Sequence, residues 1–292
     1  MLAEAIEIYR SPSRGSCEER AFVLTAVGVP HELSQSPEGF CLWVGLADLE
    51  QARDQLLLYQ QESRRPPPPA PVVAPPLYQH AWVGSALYVL VLLGVAVVVS
   101  SGWGRLDAFD AGELNAGLVR QGQWWRAWTA LTLHLDPAHI AANIAAGAWF
   151  GYLAGRLLGP GTAWALVVLG AGIANWVEAL LAAADHQAVG ASTAVFTALG
   201  LLAAYSWRER HMLSVRPAQR YGPLIAGVIM LGWLGTSGEH TDIMAHLLGF
   251  AVGGVLGTMI ATARAQRLWR RLPQWVGGAL ALGVLGFAWS CA

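Results

Sequence analysis

Seven apolar segments fill most of the chain after residue 80, and they restrict its fold more than any other feature. They lie near 81–101, 137–158, 161–183, 190–206, 222–236, 242–262 and 274–290. A helix rises about 1.5 Å per residue, so roughly 20 apolar residues cross the hydrocarbon core of a bilayer. Within lipid, the backbone N–H and C=O groups need hydrogen-bond partners in the protein itself, and a helix supplies them within one segment. With 55% hydrophobic and 13% charged residues, the chain is predicted to be a polytopic α-helical membrane protein.

The positions of the arginines orient these segments. Basic residues are enriched in cytoplasmic loops. With the N-terminus in the cytoplasm, the inner ends of the even-numbered segments and the loops that follow them contain Arg156, Arg208, Arg210, Arg216, Arg220, Arg264, Arg267, Arg270 and Arg271. The outward loops around Asp185 and 239–242 contain none, and only the first outward connection departs from the rule. The pattern predicts a cytoplasmic N-terminus and a C-terminus on the outside.

The residues before the membrane segments are predicted to form a small soluble α/β domain. The patterns are, in order, a strand at 6–9, a helix at 17–27, two strands within 31–44 and a helix at 47–61, which gives a βαββα domain over 1–62. This domain has no apolar core of signal-peptide type and no Cys-x-x-Cys pair, so we expect it in the cytoplasm without redox chemistry. The proline-rich residues 63–79 predict an extended linker.

The first outward connection, 102–132, is long and aromatic. It contains Trp103, Trp124, Trp125 and Trp128. Indole rings have an apolar face and a polar N–H, and they are enriched at the membrane interface. The connection is therefore expected to lie in the headgroup region.

Three polar residues are predicted to meet at one depth of the membrane. Counted from the arginines at the inner ends of their segments, Ser192 and His246 lie roughly 24 and 27 Å above the cytoplasmic face, and Asn143 roughly 20 Å. A lone serine is common in membrane helices, but an ionisable residue there indicates function. A serine, a histidine and an amide are the parts of an acyl-transfer site.

A second group of polar residues stands at the start of the second segment. His139 and Asn143 are four residues apart, so they share one helical face, and His134 precedes them. Zinc ligation by the two histidines is disfavoured because no glutamate and no third ligand accompany them, and a structural histidine pair is the other alternative. The three cysteines show no ligand spacing, so no metal or cofactor is expected.

Four short motifs occur in the order found in one family. They are Trp125-Arg126 in the first outer connection, His139 to Asn143 in the second segment, Gly190 to Ser192 in the fourth, and Ala245 to Gly249 in the sixth. Together they resemble the rhomboid intramembrane serine proteases. The resemblance spans about residues 80–262 and implies a six-helix core with one extra C-terminal helix.

The resemblance implies a role for each matched residue. Ser192 would be the nucleophile and His246 its general base and later acid. The backbone N–H of Ser192, Asn143 and His139 would form the oxyanion hole, and the ring of Phe196 would orient His246. The remaining supporting residues would be His134, Gly190, Gly249, Trp125 and Arg126.

The resemblance also implies a location and partners. The protein would be a multi-pass protein of the bacterial inner membrane that hydrolyses peptide bonds of transmembrane proteins near the outer membrane face. Residues 80–262 would form the protease core and 263–292 an inner loop and seventh helix. Lipid and transmembrane substrates are the expected partners, and a net charge of -1 gives no reason to expect nucleic acid. The sequence identifies neither the substrate nor an oligomeric state.

Two features leave other functions open. Thr193 stands where the family commonly has glycine, and its branched side chain would narrow the site or shift the Ser192 amide. This favours, as the alternative, a non-proteolytic rhomboid-like protein that binds transmembrane helices. A solute transporter is disfavoured because there is no internal repeat, and Glu178, near an outer end, is expected to extend its carboxylate toward the interface.

Overall fold

The computed structural model describes residues 4–63, 77–101, 108–211, 216–235 and 242–292. Their contacts separate the chain into two compact units, Met1–Pro71 and Val72–Ala292. Trp103 and most of the expected proline-rich linker lie outside the described residues.

The first unit is a three-stranded antiparallel sheet with two helices. Its elements are β1 (Ala5–Ser11), α1 (Arg14–Ala26), β2 (His31–Ser36), β3 (Gly39–Gly45) and α2 (Leu49–Ser63), with a short 3-10 turn before α2. The strand order is β1-β3-β2, so β3 is central. Leu42 and Val44 of β3 are fully buried against Leu24 of α1 and Ala52 of α2. Alternating apolar residues on the central strand thus form the core of this unit.

The second unit contains a long helix at each of the seven apolar segments. These helices are α3 (Trp82–Ser100), α7 (Pro137–Leu158), α8 (Pro160–Leu181), α9 (Ser192–His211), α10 (Pro217–Gly235), α11 (Ile243–Ile260) and α13 (Gln274–Cys291). A short helix, α12 (Ala263–Trp269), joins α11 to α13. The prediction of a mostly helical chain with several apolar helices is confirmed.

Four of these helices are long and apolar enough to cross a membrane by themselves, among the residues that the structure describes. They are α3, α8, α11 and α13. Helix α9 lies between α7, α8, α10 and α11, and its residues from Thr193 to Leu201 are buried. A helix enclosed by other helices does not face lipid along its length, so its polar residues are tolerated.

Three glycines allow α11 to pack closely on α9. A β-carbon added to Gly249, Gly253 or Gly257 would lie 2.7, 2.1 or 2.5 Å from a backbone carbonyl oxygen of α9. These are the oxygens of Thr193, Thr197 and Leu201. Small residues spaced by four let membrane helices approach until their backbones touch. The stripe therefore sets the distance between the helices that carry Ser192 and His246.

The described part of the connection between α3 and α7 is folded into short elements. It contains α4 (Ala108–Gly112), β4 (Leu114–Asn115), α5 (Ala116–Arg120), α6 (Arg126–Thr129) and a 3-10 turn at Ala130–Thr132, and β4 pairs with β5 (Gln187–Ala188). The indole of Trp128 packs on Gly172 of α8, and the ring of Trp124 contacts Phe287 of α13. Two of the tryptophans therefore pack against helices of the bundle, and the position of the connection in the headgroup region stays a prediction.

Candidate active site

Ser192 is the first residue of α9, at the end of a turn that requires glycine. Gly190 has a φ of 132°, which L side chains rarely adopt, and its N–H donates to the carbonyl of Ala130. A β-carbon at Gly190 would lie 2.8 Å from Cε1 and Nε2 of His139. Glycine here lets the turn before Ser192 contact the imidazole of α7.

His246 is buried on α11 and its imidazole is held on two sides. Its Nδ1 lies 3.0 Å from the carbonyl oxygen of Gly235, and its ring centroid lies 4.3 Å from that of Phe196. A carbonyl oxygen can only accept a hydrogen bond, so Nδ1 carries the proton and Nε2 is left with its lone pair. Phe196 stands four residues after Ser192 on α9, so the imidazole lies at the level of the first turn of that helix.

The serine and the histidine are not directly bonded to each other in the described part of the chain. The described contacts include no hydrogen bond between Ser192 and His246, and the serine is half-buried. The hydrogen bonds of a catalytic pair are often long without substrate and shorten in the complex. Ser192 and His246 thus lie on two helices that pack against each other, and their roles as nucleophile and base stay predictions.

Asn143 supplies a buried hydrogen-bond donor that has no partner. The residue is 6% exposed, and its Nδ2 makes no hydrogen bond among the described residues. Nδ2 would lie 3.6 Å from a β-carbon on Gly190. The hydroxyl of Tyr88 donates to the Asn143 carbonyl, which ties α7 to α3. A buried, unused N–H beside the Ser192 turn can stabilise a negative oxygen there.

His134 supports the turn from the other side. Its Nε2 accepts a hydrogen bond from the backbone N–H of Ala191 at 3.3 Å, and its ring lies 5.1 Å from that of His139. Burial lowers the pKa of His134 to about 4, so the ring is neutral and able to accept. Asp136 caps α7 by accepting from the backbone N–H of His139, which holds the Asp136 pKa below its ordinary value.

Trp125 and Arg126 lie in the scaffold around the turn. Arg126 is buried, and it donates to the backbone carbonyls of Asp110 and Glu113 and to the side chain of Gln123. Burial lowers the pKa of Arg126. The side chain keeps its charge, because an arginine is protonated at every pH at which proteins are ordinarily folded. The guanidinium therefore fixes α6, and with it the Ala130 carbonyl that receives the Gly190 N–H.

Thr193 does not point at the Ser192 turn. Its side chain is buried, and its Cγ2 would be 3.3 Å from a β-carbon on Gly249 of α11. Its carbonyl accepts from the hydroxyl of Thr197 at 2.7 Å. The branched side chain of Thr193 therefore lies between α9 and α11.

One group of polar residues was not found from the sequence. Glu178, His186 and Asp242 come from three separate segments, and potential ligand atoms of all three lie within 4.8 Å of one another. The expectation that Glu178 extends toward the interface is wrong, because its side chain is fully buried. The only signal in the sequence is that all three residues are predicted to lie at the outer ends of their segments.

The fold and the site define a class of protein. It is a multi-pass helical membrane protein with a serine, a buried histidine and, among the described residues, an unpaired amide at one end of its bundle. Residues 121–263 match the family model described as the Rhomboid domain. The chain therefore contains a rhomboid domain over these residues.

Relatives with known names support this assignment. The chain is 31% identical over 159 residues to Rhomboid protease GluP of Bacillus subtilis (strain 168), which covers 54% of this chain and 29% of that protein. It is 30% identical over 146 residues to Rhomboid-like protease 2 of Toxoplasma gondii, covering 48% and 49%. It is 25% identical over 150 residues to Putative rhomboid protease YdcA of Bacillus subtilis (strain 168), covering 51% and 73%. The chain thus spans less than half the length of the first two.

Proposed function

We propose that this protein is an intramembrane serine endopeptidase, which hydrolyses peptide bonds of transmembrane proteins near the outer membrane face. The observation that carries the proposal is the buried imidazole of His246, oriented by the Gly235 carbonyl and the Phe196 ring beside the first turn of α9. The names of the three relatives, all rhomboid proteases, support it.

Proton transfer from Ser192 to His246 begins the proposed reaction. Because Nδ1 donates to the Gly235 carbonyl, the lone pair of Nε2 is free to accept the serine proton. The Ser192 oxygen forms a bond to the substrate carbonyl carbon, and the π electrons of that carbonyl move to its oxygen. The Gly235 carbonyl orients the imidazole and stabilises its charged form, which in triad enzymes is the task of a carboxylate.

Three donors are proposed to stabilise the resulting oxyanion. Ser192 begins α9, so its backbone N–H has no acceptor within the helix. The unpaired Nδ2 of Asn143 is the second donor, and His139, whose ring lies against Gly190, is the third. A single such donor changes kcat by a factor of about 10² to 10³ in other enzymes.

The tetrahedral intermediate then breaks down to an ester, and the ester is hydrolysed. The scissile C–N bond breaks as the imidazolium of His246 gives its proton to the leaving amine, which leaves an ester on Ser192. A water molecule, deprotonated by the same Nε2, attacks the ester, and the proton returns to the serine oxygen. His134 and His139 are half-buried, so they can line a wet path to the ester.

The same proposal assigns the parts of the chain. Residues 1–62 form a cytoplasmic domain, 80–262 form the protease core, and 263–292 form an inner loop and a seventh helix with its end outside. The arginine pattern supports this orientation, and the bacterial inner membrane is the proposed location. Lipid and the transmembrane helices of substrate proteins are the partners.

Cleavage of a membrane-anchored reporter in proteoliposomes tests the proposal. The wild type should release the outer part of the reporter, and Ser192→Ala should not. Ser206→Ala is the matched control, because this half-buried serine lies on α9 far from the proposed site. Cleavage by Ser192→Ala at the wild-type rate would contradict the proposal.

A second candidate function is binding of transmembrane helices without cleavage. It is favoured by the lack of a direct hydrogen bond between Ser192 and His246 in the described contacts. A protein of this kind would retain the reporter helix in a detergent pull-down, and neither it nor Ser192→Ala would react with a fluorophosphonate. Covalent labelling of the wild type alone excludes this second candidate.

A further inference from the structure

Glu178, His186 and Asp242 converge at one point near the start of α11. Glu178 belongs to the last turn of α8, His186 to the connection between α8 and α9, and Asp242 is the N-cap of α11. The Nε2 of His186 lies 3.3 Å from Oε1 of Glu178 and 3.2 Å from Oδ2 of Asp242. Three segments far apart in sequence therefore bring one nitrogen and two oxygens together.

These atoms have no hydrogen bonds among the described residues. Glu178 is 0% exposed, and neither of its carboxylate oxygens accepts a hydrogen bond. The Nε2 of His186 and Oδ2 of Asp242 are likewise buried and unbonded. Leaving a buried polar atom without a partner costs about 1–3 kcal/mol, and more for a charged group. The three atoms, each within 4.8 Å of the others, are arranged like ligands directed at a common centre.

The two neighbouring carboxylates also need a proton or a cation between them. Two carboxylates lie side by side, and within the described part of the chain His186 is the only basic group within ion-pair distance of either. If both carboxylates are ionised, a neutral imidazole leaves two negative charges uncompensated, and a protonated one leaves one. A buried carboxylate without a counter-charge is strongly unfavourable.

We propose that Glu178, His186 and Asp242 bind one divalent cation, and that Zn²⁺ is the ion they fit. With metal–ligand bonds of about 2.0–2.1 Å, the ligand atoms of a tetrahedral zinc site are separated by roughly 3.3 Å, close to the two separations seen here. An imidazole with two carboxylates suits zinc, whereas calcium and magnesium prefer oxygen ligands alone. A tetrahedral zinc ion would take a water molecule as its fourth ligand beside these three.

The bound ion would brace the helix that carries His246. The Oδ1 of Asp242 accepts from the backbone N–H of Ala245, and its backbone carbonyl accepts from the N–H of His246. Coordination of Oδ2 would thus tie the first turn of α11 to the outer end of α8. The site is structural, and its existence does not depend on the proposed protease activity.

Calorimetric titration of the metal-free full-length protein in detergent with zinc sulfate tests the site. The wild type should bind one Zn²⁺ per chain, and its thermal unfolding midpoint should rise with zinc and fall again with a chelator. Glu178→Gln and Asp242→Asn each replace a ligand by an uncharged amide of similar shape. Since loss of a supporting outer group alone costs about 10- to 100-fold in metal affinity, each variant should weaken binding at least tenfold.

Two further variants, His186→Ala and Asp185→Asn, complete the experiment. Asp242→Asn keeps a good N-cap residue, so a loss of binding would reflect coordination rather than unfolding of α11. His186→Ala lies in a connection, where it is tolerated should Glu178→Gln fail to fold. Asp185→Asn changes an exposed acidic neighbour and should bind zinc like the wild type. No zinc uptake by the wild type, or equal uptake by all the variants as for an adventitious ion only, would overturn the proposal.

Discussion

The surroundings of His246 and of Glu178 differ, although both side chains are buried near the same end of the bundle. The imidazole of His246 has a carbonyl against Nδ1 and an aromatic ring against its face. The carboxylate of Glu178 has a histidine and a second carboxylate nearby, and no hydrogen bond among the described residues. The cost of burying the polar group is therefore met within the chain for His246, whereas for Glu178 we propose that a bound cation meets it.

The largest effect is expected when the proposed dyad is removed. Ser192→Ala and His246→Ala should each lower kcat/KM for a membrane-anchored substrate by a factor of at least about 10³, because nucleophile and base act as one unit. The double variant should be no slower than either single variant. Steady-state cleavage rates of the three variants, beside the Ser206→Ala control, measure this. Additive losses in the double variant would show that the two residues act separately.

The next largest effect separates two buried asparagines. Asn143→Ala should lower kcat by a factor of about 10² to 10³ with little change in stability, because Nδ2 has no partner to lose. Asn175→Ala should instead lower the free energy of unfolding by about 1–3 kcal/mol, because Nδ2 of Asn175 donates to the buried Ala127 carbonyl. Cleavage rates and thermal unfolding of both variants check the contrast, and a purely structural effect of Asn143→Ala would contradict it.

Two adjacent glycines on α11 provide a matched test of the helix contact. Gly253→Ala should lower the free energy of unfolding by about 3 kcal/mol, because its β-carbon would lie 2.1 Å from the Thr197 carbonyl oxygen. Gly254→Ala meets nothing within 4 Å and should be neutral or stabilising. Thermal unfolding in detergent compares them. Equal destabilisation by both would mean that α11 does not touch α9 through this face.

The unbonded carboxylate can be tested without metal. Glu178→Leu should raise the free energy of unfolding of the chelator-treated protein by about 1–3 kcal/mol, since a buried acceptor without a partner is removed. The variant should gain nothing from added zinc. A loss of stability in chelator would show that Glu178 already has a stabilising partner within the protein.

The smallest expected effect is the pH dependence due to His134. Because burial lowers its pKa to about 4, the unfolded chain binds a proton on this residue more readily than the folded chain. The contribution of His134 to stability is present above pH 6.5 and is lost as the pH falls toward 4. His134→Gln should flatten this part of the stability profile, measured by thermal unfolding between pH 4 and 8. An unchanged profile would contradict burial of the ring.

Hydropathy and short motifs predicted much of this architecture because they are local. A long helix lies at each apolar segment, and the pair His139 and Asn143 shares a face because four residues make about one turn. The contacts that orient His246 could not be predicted in this way. Its partner carbonyl belongs to Gly235 of α10, and the bond depends on how two helices meet.

The burial of Glu178 and the packing of Trp128 were also beyond the sequence. A glutamate near a helix end ordinarily reaches the interface, but the connection containing His186 and the start of α11 cover this one. Trp128 packs on Gly172 because glycine leaves room for an indole there, and its position in the sequence does not indicate this contact. The burial of Glu178 and the packing of Trp128 both depend on segments that are far away in the sequence.

The most direct test of the central claim is to locate the adduct of a fluorophosphonate by mass spectrometry of the protein in detergent. An activated serine reacts with this reagent, and other hydroxyls do not. We predict a single adduct on Ser192 of the wild type and of Ser206→Ala, and none on Ser192→Ala or His246→Ala. An adduct on another residue, or undiminished labelling of Ser192 after His246→Ala, would contradict the assignment of these two residues as nucleophile and base.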